Sequence, residues 1–156
     1  MLPVLILMVG KTRMSFVEEG LALYRRRLGP YLEVTLKSVR QEKEGKHLSP
    51  ELVKAREGER LRRALPPRSH VVALDVRGRL CTSEEFARWL AKREEEGLPL
   101  VFVVGGHLGL DEATLAAARE TLALSRLTLT HELARLVLLE QLYRAKTILA
   151  GHPYHV

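Results

Sequence analysis

The segment LPLVFVVGG, residues 98–106, decides the fold class expected for this chain of 156 residues. Residues 98–104 form a continuous apolar run, and the paired glycines Gly105 and Gly106 end it. A short apolar run without alternation is typical of a strand buried on both faces, as in parallel sheets that are covered by helices on both sides. The segment therefore predicts a central strand of an α/β domain.

Strands and helices alternate on both sides of that segment. Strands are further expected over residues 4–9, 31–39, 70–76 and 127–129, and helices over residues 14–28, 49–65, 82–97, 111–124 and 131–150. Arg77-Gly78 is expected to turn the chain after the third strand, and residues 40–48 to form a loop. The alternation predicts one domain, residues 1–156, built as a three-layer α/β/α sandwich with a mainly parallel sheet.

Composition excludes several classes of protein. With 46% hydrophobic and 28% charged residues, the chain is not typical of a disordered protein. The opening segment LPVLILMVG has no basic flank and is too short to span a bilayer, so we expect neither a signal peptide nor a membrane partner. The single cysteine, Cys81, excludes an internal disulfide and favours a reducing cytoplasmic setting. No Cys/His spacing resembles a zinc site, so no metal is expected.

Positive charge is concentrated in the first half of the chain. Residues 1–79 carry 17 Lys and Arg against 9 Asp and Glu, whereas residues 80–156 carry 8 against 10. The basic residues include the run Arg25-Arg26-Arg27 and a looser group that contains Lys46. A one-sided positive field attracts polyanions and favours a nucleic-acid partner. A solvated helix surface with interspersed glutamates is the alternative interpretation of the same pattern.

Ligands of open α/β sheets bind beyond the carboxyl ends of the strands, and three such ends are candidates here. Asp75 ends one strand, where it can bind a ligand hydroxyl or cap a turn. The glycine-rich loop at residues 105–110 lets backbone amides approach a ligand, but an ordinary tight turn is as compatible with it. It lacks both the Walker and the dinucleotide-binding signatures. The third candidate, residues 125–133, places Thr130 and His131 at a helix N-terminus, where His131 is either a ligand contact or a neighbour of the cap.

The last helix and the residues after it form a further candidate region. Glu140 and Arg144 are four residues apart and can pair across one helical turn, either as a solvated ion pair or as part of a site. Gly151 and Pro153 end the helix. His152 and His155 then flank Pro153 and Tyr154, a density of aromatic and titratable groups that is unusual after a final helix.

Four motifs taken together resemble one known family. They are GGxxGL at residues 105–110, SxLTLxHxLxR at 125–135, ExLYRA at 140–145 and HPYH at 152–155. These motifs are similar to those of the bacterial methyltransferases that act on a pseudouridine in large-subunit ribosomal RNA, which belong to the knotted SPOUT class. The resemblance covers nearly the whole chain, and the combination of the C-terminal motifs is its most specific part.

The resemblance implies a fold, a cofactor and a partner. It implies a C-terminal trefoil knot, S-adenosylmethionine as methyl donor, and a homodimer with its active site between the subunits. The substrate implied is a pseudouridine methylated at ring nitrogen N3 in the assembled ribosome. By position, the cofactor pocket would be formed by Leu74, Gly105, Gly106, Ser125, Arg126, Leu127, Thr128, Leu129 and Thr130.

Catalytic roles are implied for three residues near the end of the chain. His155 is the first candidate for the base that removes the ring proton, because histidine titrates near neutral pH. Tyr154 would stack on the RNA base or hydrogen-bond to it, and Arg144 would stabilise negative charge on the ring carbonyls.

The sequence departs from the family pattern at three places. The glycine loop usually reads GGPEGL, where this chain has His107 and Leu108 in the variable positions. A proline usually stands on each side of the histidine at 131, and here these are Thr130 and Glu132. A basic residue usually follows the last histidine, whereas Val156 follows here. Two other functions remain open: a non-enzymatic ribosome- or RNA-binding factor, and a methyltransferase that acts on tRNA.

Overall fold

The computed structural model describes residues 1–43, 45 and 47–156. Five strands and five helices alternate along the chain. They are β1 Pro3–Val9, α1 Ser15–Leu28, β2 Glu33–Val39, α2 Pro50–Arg63, β3 His70–Arg79, α3 Ser83–Glu96, β4 Leu100–Val104, α4 Glu112–Ala117, β5 Glu120–Leu122 and α5 His131–Ala150. The five strands form one parallel sheet in the order β2-β1-β4-β3-β5. The predicted α/β class and parallel sheet are confirmed.

Two apolar cores cover the two faces of this sheet. Successive residues of β1 point to opposite faces, so Ile6 lies in the core beneath α1, α3 and α5, whereas Leu7 lies in the core beneath α2 and α4. All five residues of β4 are buried. The continuous apolar run at residues 98–104 therefore predicted its position correctly, at the centre of a three-layer arrangement.

Two helices begin at the capping residues that the sequence predicts. Thr82 accepts a hydrogen bond from the backbone of Glu85, and the Glu85 side chain accepts one from the backbone of Thr82, which completes the expected capping box of α3. Ser49 caps α2 with its side chain. The loop predicted at residues 40–48 contains no helix or strand in its described part, and Glu44 and Lys46 lie outside the described residues.

The expected turn at Arg77-Gly78 is wrong, because β3 continues to Arg79. The strand is irregular between Leu74 and Arg79, and both of these residues pair with Leu122. A Cβ atom at Gly78 would lie 2.6 Å from the backbone carbon of Leu122. The glycine therefore permits a close approach of β3 and β5. In the sequence alone, the same Arg77-Gly78 pair resembles a turn.

The region between residues 111 and 129 was also predicted wrongly. The helix expected to run to residue 124 ends at Ala117, and the following strand is Glu120–Leu122 rather than residues 127–129. Glu120 explains the change, because its carboxylate contacts the His70 ring nitrogen at 2.5 Å and the Trp89 indole nitrogen at 2.9 Å. These partners hold residues 120–122 beside β3, and the chain then crosses residues 125–130 without regular structure.

Helix α5 is tied to the end of β1 by two buried charged side chains. Arg135 is fully buried and donates hydrogen bonds to the carbonyl oxygens of Val9 and Gly10 at 2.6 and 3.0 Å. Glu132 accepts hydrogen bonds from the backbone of Arg13 and Met14 at 3.1 and 2.9 Å. These contacts fix the N-terminus of α5 at the carboxyl edge of the sheet.

Candidate active site

A cavity of about 720 Å³ opens at the carboxyl ends of β3 and β4. Its walls are the end of β3, the glycine-rich loop, the segment after β5 and the first turn of α5. The lining residues are Met14, Leu74, Asp75, Val76, Val104, Gly105, Gly106, His107, Leu108, Gly109, Leu110, Leu124, Ser125, Leu127, Thr128, Leu129, Thr130, His131, Glu132 and Ala134. We refer to this cavity as the sheet-edge pocket. Its size falls within the range of about 300–1,000 Å³ that is usual for small-molecule sites.

The glycine loop is folded tightly on itself. Gly109 donates a backbone hydrogen bond to Gly106 at 3.0 Å and adopts a φ of +87°, which disfavours any residue with a side chain. A Cβ atom at Gly105 would lie 2.7 Å from the backbone carbon of Gly109. Glycine at position 105 therefore permits the tight shape of this loop. In that shape the loop backbone lines the pocket.

The opposite wall, residues 124–130, is held by side chains that bind backbone. The Ser125 hydroxyl accepts a hydrogen bond from the Leu127 amide at 2.9 Å, and the Thr130 hydroxyl accepts one from Leu133 at 3.2 Å. Within the described residues, no hydrogen bond involves the backbone amides of Thr128 or Leu129. These donors are open to a ligand with polar edges, and the leucine side chains supply apolar surface beside them.

Eight of the nine residues expected at the cofactor line this pocket. They are Leu74, Gly105, Gly106, Ser125, Leu127, Thr128, Leu129 and Thr130. The ninth, Arg126, is directed elsewhere, because its guanidinium donates a hydrogen bond to the carbonyl oxygen of Val76. Arg126 therefore ties the pocket wall to β3.

Asp75 is the acidic residue at the β3 side of the pocket. It lines the pocket, and its carboxylate accepts hydrogen bonds from the backbone and the side chain of Arg77 at 2.8 and 3.0 Å. Burial raises the pKa of Asp75, but the hydrogen bonds from Arg77 outweigh burial and hold the pKa below its ordinary value. The pocket therefore has an ionised carboxylate at its β3 side.

Three further polar residues, His107, His131 and Glu132, line the pocket. His131 lines it, and burial together with the nearby Arg135 lowers the pKa of His131, which favours a neutral imidazole. His107 lines it from the glycine loop. Glu132 and Met14, which hydrogen-bond to each other, were not expected here. They are 118 residues apart, and no local signal in the sequence indicates such a contact.

A second group of functional candidates lies at the end of the chain. Tyr154 donates its hydroxyl hydrogen to Glu140 at 2.9 Å, lies 3.2 Å from the Tyr24 hydroxyl, and packs edge-on against Tyr143 at 4.8 Å between ring centroids. Burial and the contacts with Tyr24 and Glu140 raise the pKa of Tyr154. The phenol therefore remains protonated at neutral pH.

Arg144 connects this tyrosine to His155. Its guanidinium lies over the Tyr154 ring at 4.8 Å and pairs with Glu140 at 3.1 Å. One of its nitrogens also lies 3.0 Å from Nδ1 of His155, and Nε2 of His155 lies 2.6 Å from Glu84 on α3. We refer to Tyr24, Glu84, Glu140, Tyr143, Arg144, Tyr154 and His155 as the terminal cluster.

The terminal cluster continues into the basic surface of α1. Arg27 lies over the rings of Tyr24 and Tyr143 at 5.5 and 5.7 Å, next to the exposed residues Arg25 and Arg26. The Tyr31 hydroxyl lies 2.7 Å from Nδ1 of His152. Aromatic rings beside guanidinium groups are the components that proteins use to bind stacked bases and phosphates.

The structure does not bring the two regions together within one chain. None of the three expected catalytic residues, Arg144, Tyr154 and His155, lines the sheet-edge pocket. Among the described residues, no group of three or more His, Cys, Asp and Glu side chains is arranged to hold a metal ion. No helix in the described ranges is long and apolar enough to cross a membrane.

Comparison with known proteins gives a family match over nearly the whole chain. Residues 2–155 match the family model described as "Predicted SPOUT methyltransferase". The chain is 44% identical over 151 residues to the ribosomal RNA large subunit methyltransferase H of Geotalea daltonii, a match that covers 96% of this chain and 97% of the relative. The protein of the same name from Listeria monocytogenes is 45% identical over 154 residues, with the same coverage.

Among solved structures, TrmJ from Z. mobilis has a similar fold. Its TM-score is 0.53 at 18% sequence identity, and the match covers 94% of this chain and 71% of that one.

Proposed function

This chain belongs to the SPOUT methyltransferase family, and on that premise we propose that it transfers a methyl group from S-adenosylmethionine to large-subunit ribosomal RNA, at N3 of a pseudouridine. The names of the relatives from G. daltonii and L. monocytogenes support the class of RNA. The motifs at residues 105–110, 125–135, 140–145 and 152–155 support the choice of base and ring atom.

The observation that carries the proposal is the sheet-edge pocket. It lies where open α/β sheets bind ligands, and its wall at residues 124–130 presents the backbone amides of Thr128 and Leu129, which take part in no hydrogen bond within the described residues. S-adenosylmethionine has an adenine with polar edges, a ribose and a charged amino-acid part. The amides of Thr128 and Leu129 fit the adenine edges, and the Asp75 carboxylate fits hydroxyl or ammonium groups.

The cofactor-binding residues proposed are those of the two backbone walls and the end of β3. They are Leu74, Gly105, Gly106, Ser125, Leu127, Thr128, Leu129 and Thr130, with Arg126 in a supporting role. When bound, the cofactor supplies a methyl group on a positively charged sulfur, which is already activated for transfer. The protein therefore has to position the acceptor nitrogen in line and to remove its proton.

We assign that second task to the terminal cluster. His155 accepts the ring proton, Arg144 stabilises the negative charge that develops on the ring carbonyls, and Tyr154 contacts the base. Protonated Tyr154 is a hydrogen-bond donor and an aromatic surface rather than a base, which agrees with the direction of its pKa shift.

The separation of the two regions supports a homodimer. Because Arg144, Tyr154 and His155 do not line the pocket of their own chain, the site is complete only if a second copy supplies them. We propose a two-fold dimer in which the terminal cluster of one subunit faces the sheet-edge pocket of the other. The basic residues of α1 next to the cluster then contact RNA phosphates of the assembled ribosome.

We further propose that residues 1–156 act as one domain and that the chain is knotted. Support for the knot comes from family membership and from the path of α5, which returns from the sheet edge at β5 to the end of β1. There Arg135 and Glu132 hold it against residues 9–14. A C-terminal segment that passes through the loop formed by residues 105–124 would account for this path.

Radiolabelled S-adenosylmethionine and ribosomes that lack the modification test the function. One ribosome sample carries pseudouridine in the intersubunit stem-loop of the large-subunit RNA, and a matched sample carries uridine. Incorporation into the pseudouridine sample alone is the expected result. Equal labelling of both samples would contradict the pseudouridine requirement. Labelling of neither sample, despite measured cofactor binding, would favour tRNA as substrate or a non-enzymatic RNA-binding factor.

A further inference from the structure

We propose that Glu84 is a positioning residue for His155, so that Nδ1 of the imidazole is the atom that accepts the proton of the RNA base. This inference rests on the proposed function and adds a residue to it. Glu84 lies in the first turn of α3, outside every motif on which the family resemblance depends. Its carboxylate lies 2.6 Å from Nε2 of His155.

The contacts on both sides of the ring determine its tautomer. Arg144 lies 3.0 Å from Nδ1, and a guanidinium has only donors. Nδ1 therefore carries the lone pair, and the proton of the neutral ring is on Nε2. That N–H donates to Glu84, which as a carboxylate has only acceptors. Glu84 and Arg144 thus select the same tautomer from opposite sides.

Glu84 is suited to this role because it stays ionised. A hydrogen bond from its own backbone N–H and the contact with His155 hold the pKa of Glu84 below its ordinary value. Its position near the N-terminus of α3 favours negative charge as well. A carboxylate on Nε2–H orients the imidazole and stabilises the imidazolium that forms when Nδ1 takes up a proton.

Two further contacts keep α3 fixed relative to α5. The Ser83 hydroxyl donates to Gln141 at 2.8 Å, and Lys146 pairs with Glu94 at 2.8 Å. Glu84 is therefore presented from a helix that is anchored to the helix carrying Arg144. A positioning group on an anchored element holds the imidazole more narrowly than a group on a loop.

The reaction transfers one proton to His155 and one methyl group to the RNA base. The N3–H proton of pseudouridine moves to Nδ1, and the electron pair of that bond stays on N3 and forms the new bond to the methyl carbon. The carbon–sulfur bond breaks with its electrons on sulfur, which leaves S-adenosylhomocysteine. Arg144 gives up its contact with Nδ1 and stays paired with Glu140. The charged and titratable groups around the ring are then Glu84 from α3, Arg144 and Glu140 from α5, and the neighbouring Tyr154.

Three variants test the inference: Glu84→Ala, Glu84→Gln, and Glu95→Ala as a control that removes an exposed carboxylate from the same helix. Turnover of labelled S-adenosylmethionine on ribosomes is measured as kcat and KM, and cofactor affinity by calorimetry. We expect Glu84→Ala to lower kcat about tenfold, with KM for ribosomes and cofactor affinity unchanged.

Glu84→Gln should recover most of kcat, since an amide oxygen accepts the same Nε2–H bond. The Glu95→Ala control should behave as the native chain. A Glu84→Ala variant with native kcat, or a Glu84→Gln variant no better than Glu84→Ala, would overturn the inference.

A measurement that does not depend on turnover separates this inference from the proposed function. The ¹⁵N shifts of the His155 ring should report a proton on Nε2 in the native chain and a smaller share of that tautomer in Glu84→Ala, where Arg144 alone still selects it. A native chain without methyl transfer would contradict the proposed function, while the ring tautomer still tests the role of Glu84. Identical ¹⁵N shifts in the native chain and in Glu84→Ala would overturn that role.

Discussion

The sheet-edge pocket is formed mainly by backbone segments, whereas the terminal cluster is formed by side chains. The pocket is shaped mainly by backbone: the glycines at 105, 106 and 109, and the segment 124–130, which forms neither helix nor strand. The terminal cluster owes its shape to side chains, which join residues as far apart as Tyr24 and Tyr154. The glycine loop of the pocket is sensitive chiefly to added atoms, whereas the side-chain cluster is sensitive to any truncation. The difference predicts which substitutions affect cofactor binding and which affect transfer alone.

The largest expected effect comes from removing the terminal cluster. A chain truncated after Gly151 loses Tyr154 and His155 but keeps every residue that lines the sheet-edge pocket. We expect methyl transfer to fall on the order of 10³-fold, because base and positioning contacts are lost together. Labelled transfer to ribosomes and calorimetric binding of S-adenosylmethionine measure the two effects, and thermal unfolding checks that α5 remains packed. Transfer at the native rate would contradict the role of the cluster.

Adding one carbon to the glycine loop should have the opposite effect, because cofactor binding should weaken while the terminal cluster stays intact. In Gly105→Ala, the new Cβ would lie 2.7 Å from the backbone carbon of Gly109, so the loop must shift. We expect cofactor affinity to fall about 10- to 100-fold, as overpacking costs of about 1–3 kcal/mol imply. The control is Gly45→Ala, whose Cβ would meet no atom within 4 Å. Unchanged affinity in calorimetry would show that the loop does not form the binding wall.

Glu132 also lines the pocket, but its buried side chain is expected to act on the stability of the fold rather than on cofactor binding. Burial opposes its ionisation, but the amides of Met14 and Arg13 outweigh burial and hold the pKa of Glu132 below its ordinary value of 4.5. That stabilisation is complete above the ordinary value and is lost as the pH falls through the lowered, folded-state pKa.

Glu132→Gln should therefore lower the free energy of unfolding at neutral pH by about 1–3 kcal/mol and flatten its decline in acid. Denaturant unfolding across pH measures both effects, and cofactor affinity should change less than about threefold. A parallel decline of the two proteins in acid would disprove this role of Glu132.

The smallest effect is expected at Arg126. Its guanidinium supports the pocket wall through the carbonyl oxygen of Val76 and does not line the pocket. Arg126→Met keeps much of the aliphatic stem and removes one hydrogen bond, so the dissociation constant for S-adenosylmethionine should rise only about threefold. A loss as large as that of Gly105→Ala would mean that Arg126 contacts the cofactor directly.

The sequence predicts local features of the fold and the position of the pocket wall better than it predicts contacts between distant residues. Strand burial at residues 98–104 and the capping box at Thr82–Glu85 follow from local patterns, and both are confirmed. The family motif predicts cofactor contacts for residues 125–130, and all of these except Arg126 line the sheet-edge pocket, although residues 127–129 are not a strand. Their role in cofactor binding stays a prediction. A motif gives the position of a segment in the site without giving its secondary structure.

Contacts between distant residues had no signal in the sequence. Glu120 defines β5 through His70 and Trp89, which lie 50 and 31 residues away, so local propensity favoured a longer helix instead. The contact between Glu84 and His155 spans 71 residues and likewise follows only from the packing of α3 against α5. The sequence indicated the chemistry of the terminal cluster through its residue types, but not the partners that orient them.

The most direct test of this account combines the two defective chains in one dimer. The chain truncated after Gly151 retains the pocket, and Gly105→Ala retains the terminal cluster. Co-expressed, the two chains form mixed dimers in which one of the two sites has an intact pocket and an intact cluster from opposite subunits. With random pairing, half of the dimers are mixed, and we expect recovery of about a quarter of native methyl transfer. Activity no higher than that of the separate variants would contradict an active site shared between subunits.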